Sequence, residues 1–235
     1  MIVLENIAQF LDSFFAVNRF EEKERGGIYH HSSRPVRRFG LALEPGMQLK
    51  NWTKEQQLDA LFLHRPWKLE AGQLTPDIGI VAYHLAFDER LTLGFNPRLA
   101  EVLGISELEV LGEKEGRPIG MIGEITLAKF PIFCERLNEV FGGSEEIFAG
   151  TQNNLCRVAV MGAMTDALVR EAALRGAEIY ITGQLRKPAL SAVRETGIAV
   201  VAAGHRRCEE WGLRALAGVL RERWSSLEVI VSSDP

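Results

Sequence analysis

The sequence has few of the residues that mark several classes of protein. Its 235 residues include 3 cysteines and 5 histidines. Cys134, Cys156 and Cys208 are odd in number, widely spaced and form no Cys-x-x-Cys pair, which argues against a disulfide framework and favours a reducing, cytoplasmic compartment. No apolar run reaches the roughly 18 residues that a membrane span needs. The N-terminal stretch MIVLENIAQFLDSFF has acidic residues within its apolar pattern, so we expect neither a signal peptide nor a membrane anchor.

An excess of basic residues is also lacking. The chain has 27 lysines and arginines against 31 acidic residues, a formal net charge of -4. Proteins that hold nucleic acid or an anionic membrane through their overall field need the opposite sign, so we expect neither partner. Arg34, Arg37 and Arg38 form a basic cluster, but they lie beside an apolar strand pattern. Any anion would therefore be held locally.

The composition is otherwise that of a globular protein, with 46% hydrophobic and 25% charged residues. From residue 156 onwards, short apolar stretches alternate with stretches of helical periodicity. The alternation predicts strands at 157–162, 177–182, 198–204 and 227–232, and helices at 165–175, 188–196 and 208–223. This order indicates an α/β fold with parallel or mixed sheets covered by helices on both faces.

The first half is less regular. The patterns predict helices at 3–17, 53–60, 96–104 and 126–142, strands at 36–44, 60–64 and 78–88, an antiparallel pair within 105–125, and an exposed loop at 18–35. His30 and His31 fall in that loop and are expected at the surface. Trp67, Trp211 and Trp224 are interpreted as core or interface anchors, and Cys208 as a small buried helix residue. No linker rich in proline or serine divides the chain, so its halves should pack as one body.

Polar side chains follow the predicted strands where each apolar run stops. In open α/β sheets, ligands bind beyond the carboxyl ends of the strands. Four such ends stand out: His64-Arg65-Pro66-Trp67, His84 with Asp88, Thr182-Gly183-Gln184, and Gly204-His205-Arg206-Arg207-Cys208-Glu209.

Two of these ends pair a histidine with a carboxylate four residues later. His205 and Glu209 would share one face of a first helical turn, and His84 and Asp88 repeat the spacing. With His64, these side chains offer nitrogen and oxygen donors that zinc, manganese, iron or nickel accept. Each residue also has an ordinary structural interpretation, since such histidines bond carbonyls and first-turn carboxylates are favoured by the helix dipole. The residues alone leave both interpretations open.

Three stretches together resemble a known family, the GTP cyclohydrolase I type II homologues, also called NGG-interacting-factor-like proteins. They are LHRPW, HLAFD followed by GFNPRLAEVLG, and IYITGQLRKPALSAVRETGIAVVAAGHRRCEEWGLRAL. The resemblance spans most of the chain. It implies one unit of two intertwined α/β halves, approximately 1–125 and 126–235, without a large inserted domain. It also implies two adjacent divalent metals per chain and homohexamers whose metal sites face an internal cavity.

Carried over to this chain, the resemblance implies metal ligands at His64, Asp88, His205 and Glu209. One ion would be held by His64, His205 and Glu209, and another by Asp88 and Glu209. The family's second histidine falls on Arg65, whose guanidinium has no lone pair to offer, so we expect one metal and question the second. His84 is expected to act catalytically by orienting a water or a carboxylate that hydrogen-bonds to the ligands.

Further departures from the family concern the substrate. After Thr182-Gly183, where the family tends to have an acid and then a histidine, this chain has Gln184 and Arg186. A phosphate or carboxylate would suit Arg65, Arg186 and Arg206, although solvated surface arginines fit the sequence equally well. The resemblance implies a metal-dependent hydrolase of a nucleotide or other phosphate-containing small molecule. The alternative is a non-catalytic metal-binding or regulatory oligomer in which Arg65 has removed one metal site.

Overall fold

The computed structural model of the chain describes residues 1–70, 72–74 and 77–232. The helices are α1 (Leu4–Phe15), α2 (Leu49–Glu55), α3 (Leu85–Leu91), α4 (Pro97–Leu103), α5 (Phe130–Phe141), α6 (Asp166–Leu174), α7 (Leu190–Thr196) and α8 (His205–Arg223). The strands are β1 (Gly27–His30), β2 (Arg38–Ala42), β3 (Ala60–Leu63), β4 (Gly79–Ala82), β5 (Ile105–Val110), β6 (Glu113–Lys114), β7 (Arg117–Pro118), β8 (Gly120–Lys129), β9 (Glu146–Phe148), β10 (Asn154–Met161), β11 (Ile179–Thr182), β12 (Ala199–Ala202) and β13 (Glu228–Val231). The predicted α/β class is confirmed. None of the helices in the described ranges is both long and apolar enough to cross a membrane.

The chain forms two compact units. Unit 1 consists of Met1–Phe87 and Leu213–Pro235, and unit 2 of Asp88–Gly212. The boundaries between these units fall inside α3 and α8. That the chain forms one intertwined body stays a prediction.

Unit 1 is built on a five-stranded sheet with the order β1-β4-β3-β2-β13. The last four strands are mutually parallel, and β1 pairs antiparallel with β4. Strands β3 and β4 are buried along their whole length, as expected of parallel strands covered on both faces. Helix α1 packs against β1 and β4, and its fully buried Leu4, Ile7 and Leu11 recur at the spacing of a single helix face.

Unit 2 is built on a six-stranded sheet with the order β5-β8-β10-β11-β12-β9. Strands β10, β11 and β12 are parallel, while β8 and β9 pair antiparallel with β10 and β12. The antiparallel pair predicted within 105–125 is confirmed as β5 and β8. Helix α4 is capped at its start by Asn96, whose side chain accepts from the Leu99 amide, and at its end by Gly104 in the left-handed conformation.

The loop predicted for 18–35 is wrong for Gly27–His30, which form strand β1. Just before β1, the backbone at Gly26 passes very close to strand β4. Gly26 has φ +76°, and a Cβ there would lie 2.3 Å from the Ala82 carbonyl oxygen. Only glycine tolerates both conditions. The partner strand is about fifty residues away in sequence, so local composition could not indicate the pairing.

Three other boundaries differ from the predictions. The helix expected at 53–60 is α2, Leu49–Glu55, and Gln57 with φ +50° ends it before β3. The strand expected at 78–88 ends at Ala82, so Asp88 lies on α3. The helix expected from residue 126 begins at Phe130, because 126–129 continue β8 in its pairing with β10.

Candidate metal centre

Two candidate histidines follow neighbouring parallel strands of unit 1. His64 comes directly after β3, and His84 comes two residues after β4. Leu63 and Ala82, the last residues of these strands, are register partners. Because parallel strands end at the same edge of a sheet, the two histidines meet there. Their ring centroids are 4.8 Å apart.

His64 is fully buried and its ring orientation is fixed by the backbone. Its Nδ1 lies 3.0 Å from the carbonyl oxygen of Tyr83. A carbonyl only accepts, so Nδ1 is the donor, and in the tautomer that has its proton on Nδ1 the lone pair lies on Nε2. Metal-ligating histidines characteristically donate their second ring N–H in this way. The arrangement therefore suits His64 to bind a metal through Nε2.

Asp88 lies on helix α3 and belongs to the same group as the two histidines. It follows His84 by four residues, about one helical turn. One ligand atom from each of His64, His84 and Asp88 lies within 4.8 Å of the others. Two imidazoles and a carboxylate form a donor set that fits zinc and other first-row divalent ions. The family resemblance implies an orienting role for His84, whereas the geometry sets it among the possible ligands.

Tyr83 is a residue of the site that sequence reasoning missed. Its carbonyl orients His64, and its buried hydroxyl lies 2.7 Å from Asp12 Oδ1 and 3.1 Å from the Ala8 carbonyl oxygen, both on α1. Burial, followed by the interaction with Asp12, raises the pKa of the Tyr83 phenol far above its ordinary value. The phenol thus remains neutral and links the residue beside His64 to the first helix. A tyrosine inside an apolar run carries no sequence signal for such a role.

His205 and Glu209 form a second pair, on the first turn of α8 in unit 2. His205 Nε2 lies 3.0 Å from Glu209 Oε1, which confirms the predicted shared face. The His205 side chain is 69% exposed and that of Glu209 is 1% exposed. Gly183 adjoins the histidine, since a Cβ there would lie in ordinary van der Waals contact with the His205 Cα, at 3.4 Å. The segment after β11, which contains Gly183, and the segment after β12, which contains His205, therefore lie next to each other.

Three carboxylates and the guanidinium of Arg207 act on Cys208, which is buried as predicted. Burial raises the pKa of its thiol well above the ordinary value, and the charges of Glu209, Glu145 and Asp88 raise it further. Asp88 and Glu209 are thus both near enough to act on one thiol within unit 2. Convergent carboxylates of this kind favour the binding of a cation.

The three arginines expected to bind substrate have different surroundings. Arg65 is mostly buried and its Nη2 lies 3.8 Å from Glu44 Oε1. Arg206 Nε lies 3.0 Å from Glu210 Oε1, one turn further along α8. Arg186 is exposed. Since two of the three already have carboxylate partners, their binding of an anion stays a prediction.

The remaining histidines and two of the three tryptophans expected as anchors lie where the sequence predicted. His30 and His31 are exposed, as expected, and His30 Nδ1 lies 2.9 Å from the Ile78 carbonyl oxygen. Trp211 is buried, and Trp224 packs edge-on against a phenylalanine of α1. In the chain as described, Trp67 is no core anchor, because it is 56% exposed beside His84.

Comparison with known proteins places the chain in a defined group. The family model Duf34/NIF3 (NGG1p interacting factor 3) matches residues 2–235. A "GTP cyclohydrolase 1 type 2 homolog" from Pyrococcus horikoshii is 27% identical over 247 residues, covering 97% of both chains. Another of the same description, from Pseudomonas aeruginosa, is 25% identical over 239 residues, covering 95% of this chain and 94% of its own.

Solved structures show the same fold. Protein ybgI, described as of unknown function, aligns with a TM-score of 0.80 at 22% identity, covering 100% of this chain and 99% of its own. Reduced HcgD from Methanocaldococcus jannaschii aligns with a TM-score of 0.75 at 20% identity, covering 99% and 98%. The near-complete coverage in both directions confirms that the chain has no large inserted domain.

Proposed function

Because the chain belongs to the Duf34/NIF3 family, we propose that it is a metal-dependent hydrolase of a nucleotide or another phosphate-containing small molecule. One observation carries the proposal: His64, His84 and Asp88 present two nitrogens and an oxygen within 4.8 Å of one another. The bond from His64 Nδ1 to the Tyr83 carbonyl supports it, because it leaves Nε2 as the ligating nitrogen.

In this proposal His64, His84 and Asp88 hold one divalent ion, and His205 and Glu209 remain the further ligand candidates. The ion would supply a Lewis acid that polarises a phosphoryl oxygen and activates water near neutral pH. The chain's own residues orient the donors: Tyr83 fixes the ring of His64, and helix α3 fixes Asp88 relative to His84.

The test is the metal content and affinity of protein purified without a metal-affinity tag. We expect about one ion per chain, and we expect the variant His84→Ala to weaken binding at least about a hundredfold, beyond the 10- to 100-fold typical of residues outside the ligand set. His31→Ala is the matched control, because His31 is exposed and should leave affinity unchanged. Failure to bind zinc, manganese, iron or nickel, with no thermal shift on adding them, would overturn the proposal.

A second candidate function is a non-catalytic metal-binding or regulatory protein. The ion pair between Arg65 and Glu44 favours it, since the position where the resemblance expects another histidine is occupied by a paired cation. Binding of one ion per chain without phosphate release from a panel of nucleotides and phosphoesters would support this function. If the variant Arg65→His instead binds a second ion and gains hydrolytic activity, that result would support the metal-dependent hydrolase.

We also propose that the protein assembles as a homohexamer in the cytoplasm. The hexamer rests on the resemblance to the family, and the compartment on the three widely spaced cysteines. Light scattering on purified protein tests the first, with a mass of about six times the 26.2 kDa chain expected. A monomeric mass at micromolar concentration would contradict the hexamer.

A further inference from the structure

Unit 1 has a cavity of about 470 Å³ beside the candidate metal centre. Its lining includes His84, Trp67, Tyr29, Glu24 and Lys23. The volume falls within the roughly 300–1,000 Å³ typical of sites for small ligands. We propose that this cavity binds a planar nitrogen heterocycle, such as a nucleobase, and holds it next to the metal centre. The inference rests on the proposed function, because it assigns the part of the substrate that is not phosphate.

Two exposed aromatic side chains support a planar ligand. Trp67 is 56% exposed and Tyr29 is 51% exposed, although both line the same cavity. Aromatic rings in such positions stack on heterocyclic bases, which all present a π-face. Binding of a planar ligand would bury the aromatic surface that is otherwise exposed to water, which favours binding.

The position of Trp67 ties the cavity to the metal centre. The residue lies in the short helical turn Pro66–Lys68, directly after His64 and Arg65. Its indole meets the His84 ring edge-on, with centroids 5.1 Å apart and planes at 88°. The contact fixes the indole relative to a candidate ligand of the ion. A ring stacked on Trp67 would lie within one side chain of the centre.

The charged residues of the cavity favour a neutral ring over an anion. Glu24 and Lys23 belong to the short turn Glu22–Glu24, and Lys23 Nζ is already paired with Glu21 at 3.0 Å. The remaining carboxylate of Glu24 repels phosphate, whereas it accepts hydrogen bonds from ring N–H and amino groups. The heterocycle therefore fits this cavity, and a phosphate does not.

Calorimetric titration of the full chain with guanosine, 1-methylguanosine, ribose 5-phosphate and inorganic phosphate tests the inference. We expect guanosine to bind and the two phosphates to bind at least about tenfold more weakly at this site. Trp67→Ala should weaken guanosine about tenfold or more, as loss of a stacking ring usually does, and Trp67→Phe should retain most of the affinity. Glu24→Gln and the methylated base should each reduce binding, while Glu22→Gln, the control on the same turn, should not.

The inference is overturned if guanosine fails to bind, if it binds Trp67→Ala as well as the wild type, or if ribose 5-phosphate competes with it equally. Metal affinity is measured on the same samples. Protein that binds metal but no guanosine refutes the heterocycle cavity and leaves the proposed function standing. Protein that binds guanosine through Trp67 but no divalent ion refutes the metal-dependent hydrolase and leaves the cavity.

Discussion

The hydroxyl of Tyr83 offers a way to test whether the first helix stabilises the candidate metal centre. Tyr83→Phe keeps the buried ring and removes only the contacts to Asp12 Oδ1 at 2.7 Å and the Ala8 carbonyl at 3.1 Å. No cavity forms, so the loss is that of a hydrogen bond to a charged acceptor, about 2 kcal/mol. For a chain of this size, that corresponds to a fall of about 4–8 °C in Tm.

Tyr180→Phe is the matched control. Tyr180 is also a buried tyrosine, but its hydroxyl donates to the neutral carbonyl oxygen of Ala163 at 2.6 Å. A bond to a neutral acceptor contributes about 1 kcal/mol, so this variant should lose about half as much stability. Thermal melts of the metal-free proteins, followed by circular dichroism, measure both losses.

The same variant tests the positioning of His64. Loosening Tyr83 should also loosen the carbonyl that orients the His64 ring. We expect metal affinity to fall by up to about tenfold, the lower end of the range for residues that orient ligands. Tyr180→Phe should leave affinity unchanged. A Tyr83→Phe protein that melts like the wild type, or that loses stability but binds metal as before, would refute the reasoning.

Three further predictions concern stability. The raised pKa keeps the Cys208 thiol neutral in the fold, whereas the thiol of the unfolded chain ionises above about pH 9. The free energy of unfolding should therefore fall above that pH, by up to about 1.4 kcal/mol per pH unit. Cys208→Ala should reduce this slope in urea titrations from pH 8 to 10, and an unchanged slope would contradict the prediction. Gly26→Ala should destabilise the fold by at least about 2 kcal/mol, because residue 26 has a positive φ and the added Cβ would lie only 2.3 Å from the Ala82 oxygen. A variant with the wild-type Tm would contradict this close contact between Gly26 and Ala82. Arg117 is buried and forms an ion pair with Glu89. Arg117→Ala should therefore lower the free energy of unfolding by about 3 kcal/mol, because it removes the partner of a partly buried carboxylate. A loss below about 1 kcal/mol in chemical unfolding would refute this prediction.

Much of the sheet structure could be predicted from local patterns. The apolar runs at 60–63 and 79–82 are β3 and β4, and the repeat after residue 156 appears as β10 to β13 with their helices. These elements are readable because burial on both faces requires a continuous apolar run and because helices repeat every 3.6 residues. The predictions failed where a distant partner decides the structure, as it does for Gly27–His30.

The candidate centre was predictable in part for the same reason. His64 and His205 stand where apolar runs end, so their place at the edge of a sheet follows from the sequence. The grouping of His84 with His64 does not, because it depends on the register of β3 against β4 and on the turn into α3. The carboxylate partner of Arg65 also lies on another part of the chain, at Glu44.

The sequence by itself determined the α/β class, most of the strands and the residues able to bind a metal, since these depend on residue type and on spacing along one segment. Only the tertiary structure decided which donors meet, that Tyr83 orients His64, and that Trp67 borders a cavity rather than the core. The physical reason is that such contacts join segments brought together by strand pairing and packing. A local sequence pattern carries no information about a partner that folding supplies from elsewhere in the chain.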